Sequence, residues 1–281
     1  MNRREQNVLL FENTRLLCRT HPILKASIEQ SQKMQVMIPE KQKPEMSDLS
    51  HYAEPANIVV SKKRTYEAAN AYTRLGLRTA VLNFASTSNP GGGVVNGASA
   101  QEESLCRCST LYFCLNTQDM WDRFYTPHRK ERNPLHNDDC IYTPGVTVFK
   151  SDTDEPKPLP ERAWYQVDVL TCAAPNLRPQ PFNRLNPGDG DRSIKVSDED
   201  LKILHCKRLN RILSIAAANN DQAIILGAFG CGAYMNDPEI VATAAKETIS
   251  EFIYAFKTIE FAVYCRPGDD TNYRCFRDLL K

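Results

Sequence analysis

An α/β fold built on a mixed, largely parallel sheet with helices on both faces is predicted by three features of this sequence. Short apolar runs alternate with helix-length segments over most of the chain, two of those runs end in glycine-rich loops, and each loop leads into a helix. Ligands of such sheets sit at the carboxyl ends of the strands. The two glycine loops therefore locate a candidate site before any chemistry is considered.

The elements follow in order. Residues 1–32 read as helical, with Leu9, Leu10, Leu16, Leu17, Ile23, Leu24 and Ile28 roughly at helical spacing. The polar stretch 33–56, with Pro39, Pro44 and Pro55, reads as a connector. Ile58–Val60 is a short strand, Thr65–Gly76 a helix ended by glycine, and Thr79–Phe84 (TAVLNF) a strand. The first glycine loop and a helix from about Glu102 to Leu115 come next. Strands are expected at Ile141–Phe149 and Val167–Ala174, separated by a charged, proline-rich loop, Asp152–Arg162. After an irregular stretch, Arg178–Ser193, an amphipathic helix carries Leu201, Leu204, Leu209, Ile212, Leu213 and Ala216 on one face. The strand Ala223–Phe229 enters the second loop. A helix marked by Ile240, Val241, Ala244, Ile249, Phe252 and Ile253 follows, then the strand Ile259–Tyr264 and a short closing helix.

Composition narrows the function classes. The chain has 281 residues, 42% of them hydrophobic and 25% charged, as in an ordinary globular protein. A formal net charge of +1 argues against gripping a long polyanion such as DNA by bulk charge. No apolar stretch approaches twenty residues, and the first thirty, with Arg3, Arg4, Glu5, Glu12 and Arg15, show no secretory signal. A cytoplasmic protein without membrane contact is expected. Its ten cysteines contain no C-x-x-C pair, and the spacing of His128, His136 and Cys140 fits no standard metal site. Buried free thiols and no metal are expected.

The first loop, NPGGGVVNGASAQEE (Asn89–Glu103), carries three consecutive glycines. These permit positive φ and close approach of backbone amides to a ligand. The second, GAFGCGAYMNDP (Gly227–Pro238), repeats that logic before a helix start at Asn236, Asp237 and Pro238. Neither is a P-loop or a dinucleotide fingerprint, which excludes a nicotinamide oxidoreductase on glycine order. Two phosphate-friendly loops on one sheet suggest a diphosphate held from both sides. Gln101-Glu102-Glu103 then puts two acids at a helix start. Beside a sugar, a carboxylic acid that protonates the leaving oxygen is what glycoside cleavage requires. Repulsion between adjacent acids favours keeping one protonated, whereas the helix N-terminus favours the anion. The two effects oppose each other.

The segment Leu82–Tyr112, with its GGG loop followed closely by QEE, resembles the catalytic segment of the microbial-type poly(ADP-ribose) glycohydrolases. Val167–Asn176 and Ala223–Ala242 resemble that family in the same order, so the likeness runs from about residue 7 to 265. It implies a macrodomain-like three-layer α/β/α sandwich. Residues 1–50 would form a helical N-terminal extension and connector, and 51–281 the hydrolase domain, the two making one structural unit. It further implies that Glu103 is the catalytic acid/base and that Glu102 holds the ribose hydroxyls. Asn83 would bond the distal ribose, Gly91, Gly92 and Gly93 would cradle the diphosphate, and Gln101 would join the substrate-binding set. Gly230, Cys231 and Gly232 would close over the diphosphate. Tyr234 stands where the family usually has a phenylalanine packed on the distal ribose. Asn96 reads as a turn residue.

The expected reaction is hydrolysis of ribose–ribose bonds in poly(ADP-ribose) by a monomer, without cofactor. Removal of single ADP-ribose units from proteins, or binding of ADP-ribose without cleavage, are the alternatives. The QEE acids favour the enzyme.

Overall fold

The computed structural model of the protein describes residues 2–42, 49–184 and 186–280. Two helices, α1 (Arg3–Thr20) and α2 (Pro22–Met34), replace the single one expected over 1–32. They break at His21, which is extended ahead of Pro22 because proline disfavours a helical predecessor. The connector expected at 33–56 contains a three-residue strand, β1 (Val36–Ile38), too short to give a periodic signal. Its Pro44, in 43–48, lies outside the described residues, as does Leu185 of the 178–193 loop. Next come β2 (Asn57–Ser61), α3 (Thr65–Thr73) and β3 (Thr79–Phe84). The helix expected to Leu115 is two, α4 (Gln101–Cys108) and α5 (Leu111–Leu115), split where Ser109 turns extended. At the split the Thr110 amide donates to the Thr147 carbonyl and the Phe149 amide to that of Cys108.

A segment with no clear periodicity forms α6 (Gln118–Met120), a π turn at Trp121–Tyr125 and α7 (Thr126–Glu131). The remainder is β4 (Cys140–Val148), β5 (Tyr165–Cys172), α8 (Asp198–Ala218), β6 (Ala223–Leu226), α9 (Pro238–Glu251), β7 (Thr258–Ala262) and α10 (Thr271–Leu280). Asp237 caps α9, accepting from the Glu239 amide at 2.8 Å, with Pro238 behind it.

The seven strands form one sheet in the order β1-β4-β5-β3-β6-β7-β2. The five strands from β5 to β2 are mutually parallel, β4 runs against β5, and β1 runs against β4. The expected mixed, largely parallel sheet is thus present. Burial on both faces explains why its central strands are apolar runs rather than alternating patterns. On β3 and β6, Ala80, Leu82, Ile224 and Leu226 pack with α8, α9 and α10, while Val81 and Ile225 pack with α3, α4 and α5. The result is the three-layer sandwich. No helix among the described residues is long and apolar enough to cross a membrane.

The N-terminal helix departs from its apolar pattern in an instructive way. Leu9 and Leu16 are more than half exposed, and the buried face is Asn7, Phe11, Thr14 and Cys18. Two of these four are polar because they bond the site's own backbone. Asn7 Nδ2 donates to the Gly97 carbonyl (3.1 Å), and Thr14 Oγ1 donates to that of Arg107 (2.6 Å). A buried polar side chain is tolerated when it is so bonded.

Candidate active site

The site begins where β3 ends. Asn83 pairs with Thr171 on the neighbouring β5, and its Nδ2 donates to Thr171 Oγ1 and to Glu102 Oε1, both at 3.2 Å. Gln101, the first residue of α4, straps that helix to the strand. Its Nε2 donates to the Leu82 carbonyl (2.8 Å) and to Thr65 Oγ1 (3.0 Å), and its Oε1 accepts from the Phe84 amide (2.9 Å). Both of its donors are thereby used inside the protein. Gln101, expected in the substrate-binding set, is placed here as the link between α4, β3 and Thr65.

The strap sets two buried carboxyls side by side. Glu102 is held at both oxygens, Oε1 by Asn83 and Oε2 by the Ser86 amide (2.8 Å). Glu103 Oε1 accepts from the Gly93 amide (2.8 Å), while its Oε2 is buried with no partner among the described residues. Burial pushes Glu102 up to about 8, Glu103's charge adds to this, and the Ser86, Asn83 and Gly91 donors hold it back. Burial raises Glu103 as well, against the pull of the Gly93 amide. Desolvation therefore outweighs the helix N-terminus, and the pair retains a proton at neutral pH. Of the pair's four oxygens, Glu103 Oε2 alone has no N–H donor among the described residues, which suits it to carry that proton.

The triple glycine lies directly on these acids. Gly91 and Gly92 adopt φ of +67° and +58°. A Cβ on Gly92 would sit 2.6 Å from Glu103 Oε1, and one on Gly91 would press on Tyr112, Cys106 and Val94 at 3.0–3.1 Å. The amides of this loop face inward: Gly92 donates to the Asn89 carbonyl and Gly93 to Glu103. As folded, this loop cradles the carboxylates. Asn96 lies in the 3-10 turn Val94–Asn96 that follows.

Sequence reasoning missed the residues that brace this loop. Arg107 Nη1 donates to the Ala98 carbonyl (2.6 Å), and Arg129 reaches from α7 to the Ser88 carbonyl (2.6 Å) and to Asn89. The fully buried Asp189 carboxylate joins Ser88 Oγ (3.3 Å), Asn176 Nδ2 (2.6 Å) and His136 Nε2 (3.4 Å), pinning the 178–193 loop to the glycine loop. No local signal marks such residues, because their partners are 40 or more positions away for Arg129 and about 100 for the Ser88–Asp189 pair.

The second loop is built differently. Gly230 has φ of +82°, and a Cβ there would collide with Ala174 and Asn236, both at 2.7 Å. Cys231 turns its side chain to the core, where burial raises the thiol, whereas a Cβ on Gly232 would meet open space. Tyr234 packs its ring near His136 (centroids 5.8 Å apart) with the Arg178 guanidinium 5.7 Å above it. Burial holds its phenol well above the ordinary range, and the charges of Asp189, Glu102 and Glu103 add to this. The backbone amides of Gly232, Ala233 and Tyr234 meet no acceptor among the described residues. Asn83, Glu102 and Glu103 are thus brought together, with Tyr234 near enough for the charges of the two acids to act on its phenol and Gly230–Gly232 beyond the carboxyl end of the adjacent β6.

Fold and site define a macrodomain-like α/β protein whose glycine loop carries a buried carboxyl pair. Residues 14–151 match the model of the microbial-type poly(ADP-ribose) glycohydrolase (PARG) catalytic domain. The chain is 30% identical to PARG from Deinococcus radiodurans, solved in complex with ADP-ribose, over 90% of this chain and 97% of that one, with a TM-score of 0.74. It belongs to the microbial-type PARG family. PARG from Thermomonospora curvata is 29% identical over 98% of this chain and 100% of that one, with a TM-score of 0.81. The same enzyme bound to the inhibitor ADP-HPD gives a TM-score of 0.79, also at 29% identity, over 98% of this chain and 99% of that one. No curated protein matched.

Proposed function

We propose that this chain is a poly(ADP-ribose) glycohydrolase that cleaves ribose–ribose O-glycosidic bonds and releases ADP-ribose. One observation carries the assignment of the acid: Glu103 Oε2 is buried with no partner among the described residues, while Oε1 is fixed by the Gly93 amide. A carboxyl so held is aimed by its backbone donor and keeps a free oxygen for a proton. In this reading Glu103 protonates the leaving oxygen as the bond to the anomeric carbon of the distal ribose breaks. Charge builds on an oxocarbenium-like ribose. The resulting carboxylate then takes a proton from the attacking water, whose oxygen completes the ADP-ribose hydroxyl. Glu102 and Asn83 hold the ribose hydroxyls. The buried Asn83 Oδ1 has no partner among the described residues and is free to accept from one of them. The second loop takes the diphosphate through its unengaged amides, and Tyr234 packs against the distal ribose. As part of the same reading, the protein is a cytoplasmic monomer without DNA contact, and the near-zero net charge supports the last of these.

The test is release of ADP-ribose from free poly(ADP-ribose) and from arginine-, serine- and glutamate-linked mono-ADP-ribosyl proteins. Glu103→Gln should lower kcat by ~10²–10⁴-fold on the polymer while ADP-ribose still binds. A wild-type protein inert on every substrate yet binding ADP-ribose would be a reader instead. Equal activity in both proteins would remove Glu103 from its role.

A further inference from the structure

We infer that Asn236 is a positioning residue that turns the second loop into an anion cradle, with His205 beneath it fixing the direction of its amide. This rests on the loop's proposed role in taking the diphosphate. An anion-binding loop must present its N–H groups to the ligand and dispose of its carbonyls elsewhere. Asn236 performs the second task. Its Nδ2 faces the carbonyls of Gly230 (3.1 Å), Tyr234 (3.2 Å) and Pro175 (2.7 Å), and its backbone amide also donates to Gly230 (3.1 Å). With the flanking carbonyls of Gly230 and Tyr234 gathered on one side chain, the intervening amides of Gly232, Ala233 and Tyr234 are left without an acceptor among the described residues.

With Nδ2 committed to carbonyls, Asn236 Oδ1 is an acceptor, and it lies 2.8 Å from His205 Nε2. His205 must therefore carry its proton on Nε2. Burial keeps the ring neutral, pushing it down to about 4, so this bond adds no charge beneath an anion site. The link is also sterically tight, since any Cβ on Gly230 would strike the Asn236 amide. Asn236 reaches no reacting atom. It acts through the loop it gathers, so its loss should weaken binding rather than chemistry.

Titration calorimetry of the 281-residue chain with ADP-ribose and with inorganic diphosphate, alongside steady-state kinetics on poly(ADP-ribose), separates these. Asn236→Ala should weaken both ligands by ~10- to 100-fold, the effect of one lost hydrogen-bonding hub. KM should rise with kcat within about threefold. Unchanged affinities, or a fall in kcat with affinities intact, overturns the inference. Should Asn236→Ala fail to fold, His205→Gln and His205→Phe decide. Glutamine keeps a donor for Asn236 Oδ1 and should restore affinity, whereas phenylalanine should not, and equal affinity in the two overturns the inference. Because binding is read without turnover, a protein that binds ADP-ribose but cleaves nothing would defeat the hydrolase reading and leave this one standing. A wild-type protein that binds neither ligand defeats this one.

Discussion

The two glycine loops look alike in sequence and are wired in opposite senses. Each follows a parallel strand, contains at least one left-handed glycine and leads into a helix. In the first, the Gly93 amide turns in onto Glu103 and the glycines make room for the carboxyls. In the second, the carbonyls turn in onto Asn236, and the amides of Gly232–Tyr234 are left over. In the proposed reading one loop manages a proton and the other meets negative charge. Glycine content alone does not distinguish these outcomes; the side chain each loop folds around does.

A pair of matched substitutions should break the resemblance most sharply. Gly92→Ala forces a non-glycine residue to φ +58° and sets a methyl 2.6 Å from Glu103 Oε1, so the carboxyl must move. We expect kcat to fall by ~10²-fold from the misplaced acid, with a loss of about 1–2 kcal/mol in stability. Gly232→Ala meets nothing within 4 Å, and its φ is not left-handed. Stability should stay within about 0.5 kcal/mol, and any kinetic effect should appear in KM alone. Denaturant melts and steady-state kinetics of the two variants provide the check. A larger kcat loss from Gly232→Ala than from Gly92→Ala would show that the division of labour is wrong.

That contrast also marks how far the sequence could be read. The strand–loop–helix order, the mixed sheet and the QEE acids were legible because apolar runs, glycines and acids are local signals. The direction of each loop's amides was not, since Gln101 strapped to Leu82 and Thr65, and Asn236 beneath Gly230, act across the fold. The N-terminal helix teaches the same lesson. Its apolar residues Leu9 and Leu16 are exposed, while Asn7 is buried because the Gly97 carbonyl needs a donor. Hydrophobic periodicity cannot reveal a polar face whose partner is 90 residues away.

The loops should also respond to pH with opposite signs. Glu102 is raised from its ordinary 4.5 to about 8 and Glu103 is raised beside it, so the folded carboxyl pair holds a proton that the unfolded state has lost. Its contribution is fully present below pH 4.5 and disappears as pH rises through 8. His205 is lowered from 6.5 to about 4, so between those values the unfolded state holds the extra proton. Its contribution is lost as pH falls from 6.5 towards 4. The stability difference between wild type and Glu102→Gln should therefore shrink from pH 5 to 8. That between wild type and His205→Gln should shrink from pH 6.5 to 4.5. Urea titrations across this range test both slopes, and a flat difference for Glu102→Gln would mean that the carboxyl pair holds no extra proton.

The smallest expected effect probes where the two loops meet. Tyr234 belongs to the second loop, yet the charges of Glu102 and Glu103 reach its hydroxyl. If the second loop only binds, the ring matters and the hydroxyl does not. His136 and Arg178 hold the ring's faces, and a phenylalanine would keep both contacts. Tyr234→Phe should then change kcat and the ADP-ribose Kd by less than about threefold, since the hydroxyl bonds no described residue. Tyr234→Ala, which removes the ring, should raise Kd by ~10-fold or more from lost apolar packing. A tenfold fall in kcat for Tyr234→Phe, with Kd unchanged, would make the hydroxyl a partner of the carboxyl pair. The proton chemistry would then be shared between the loops, and their separation into a proton-handling side and a charge-binding side would fail at this residue.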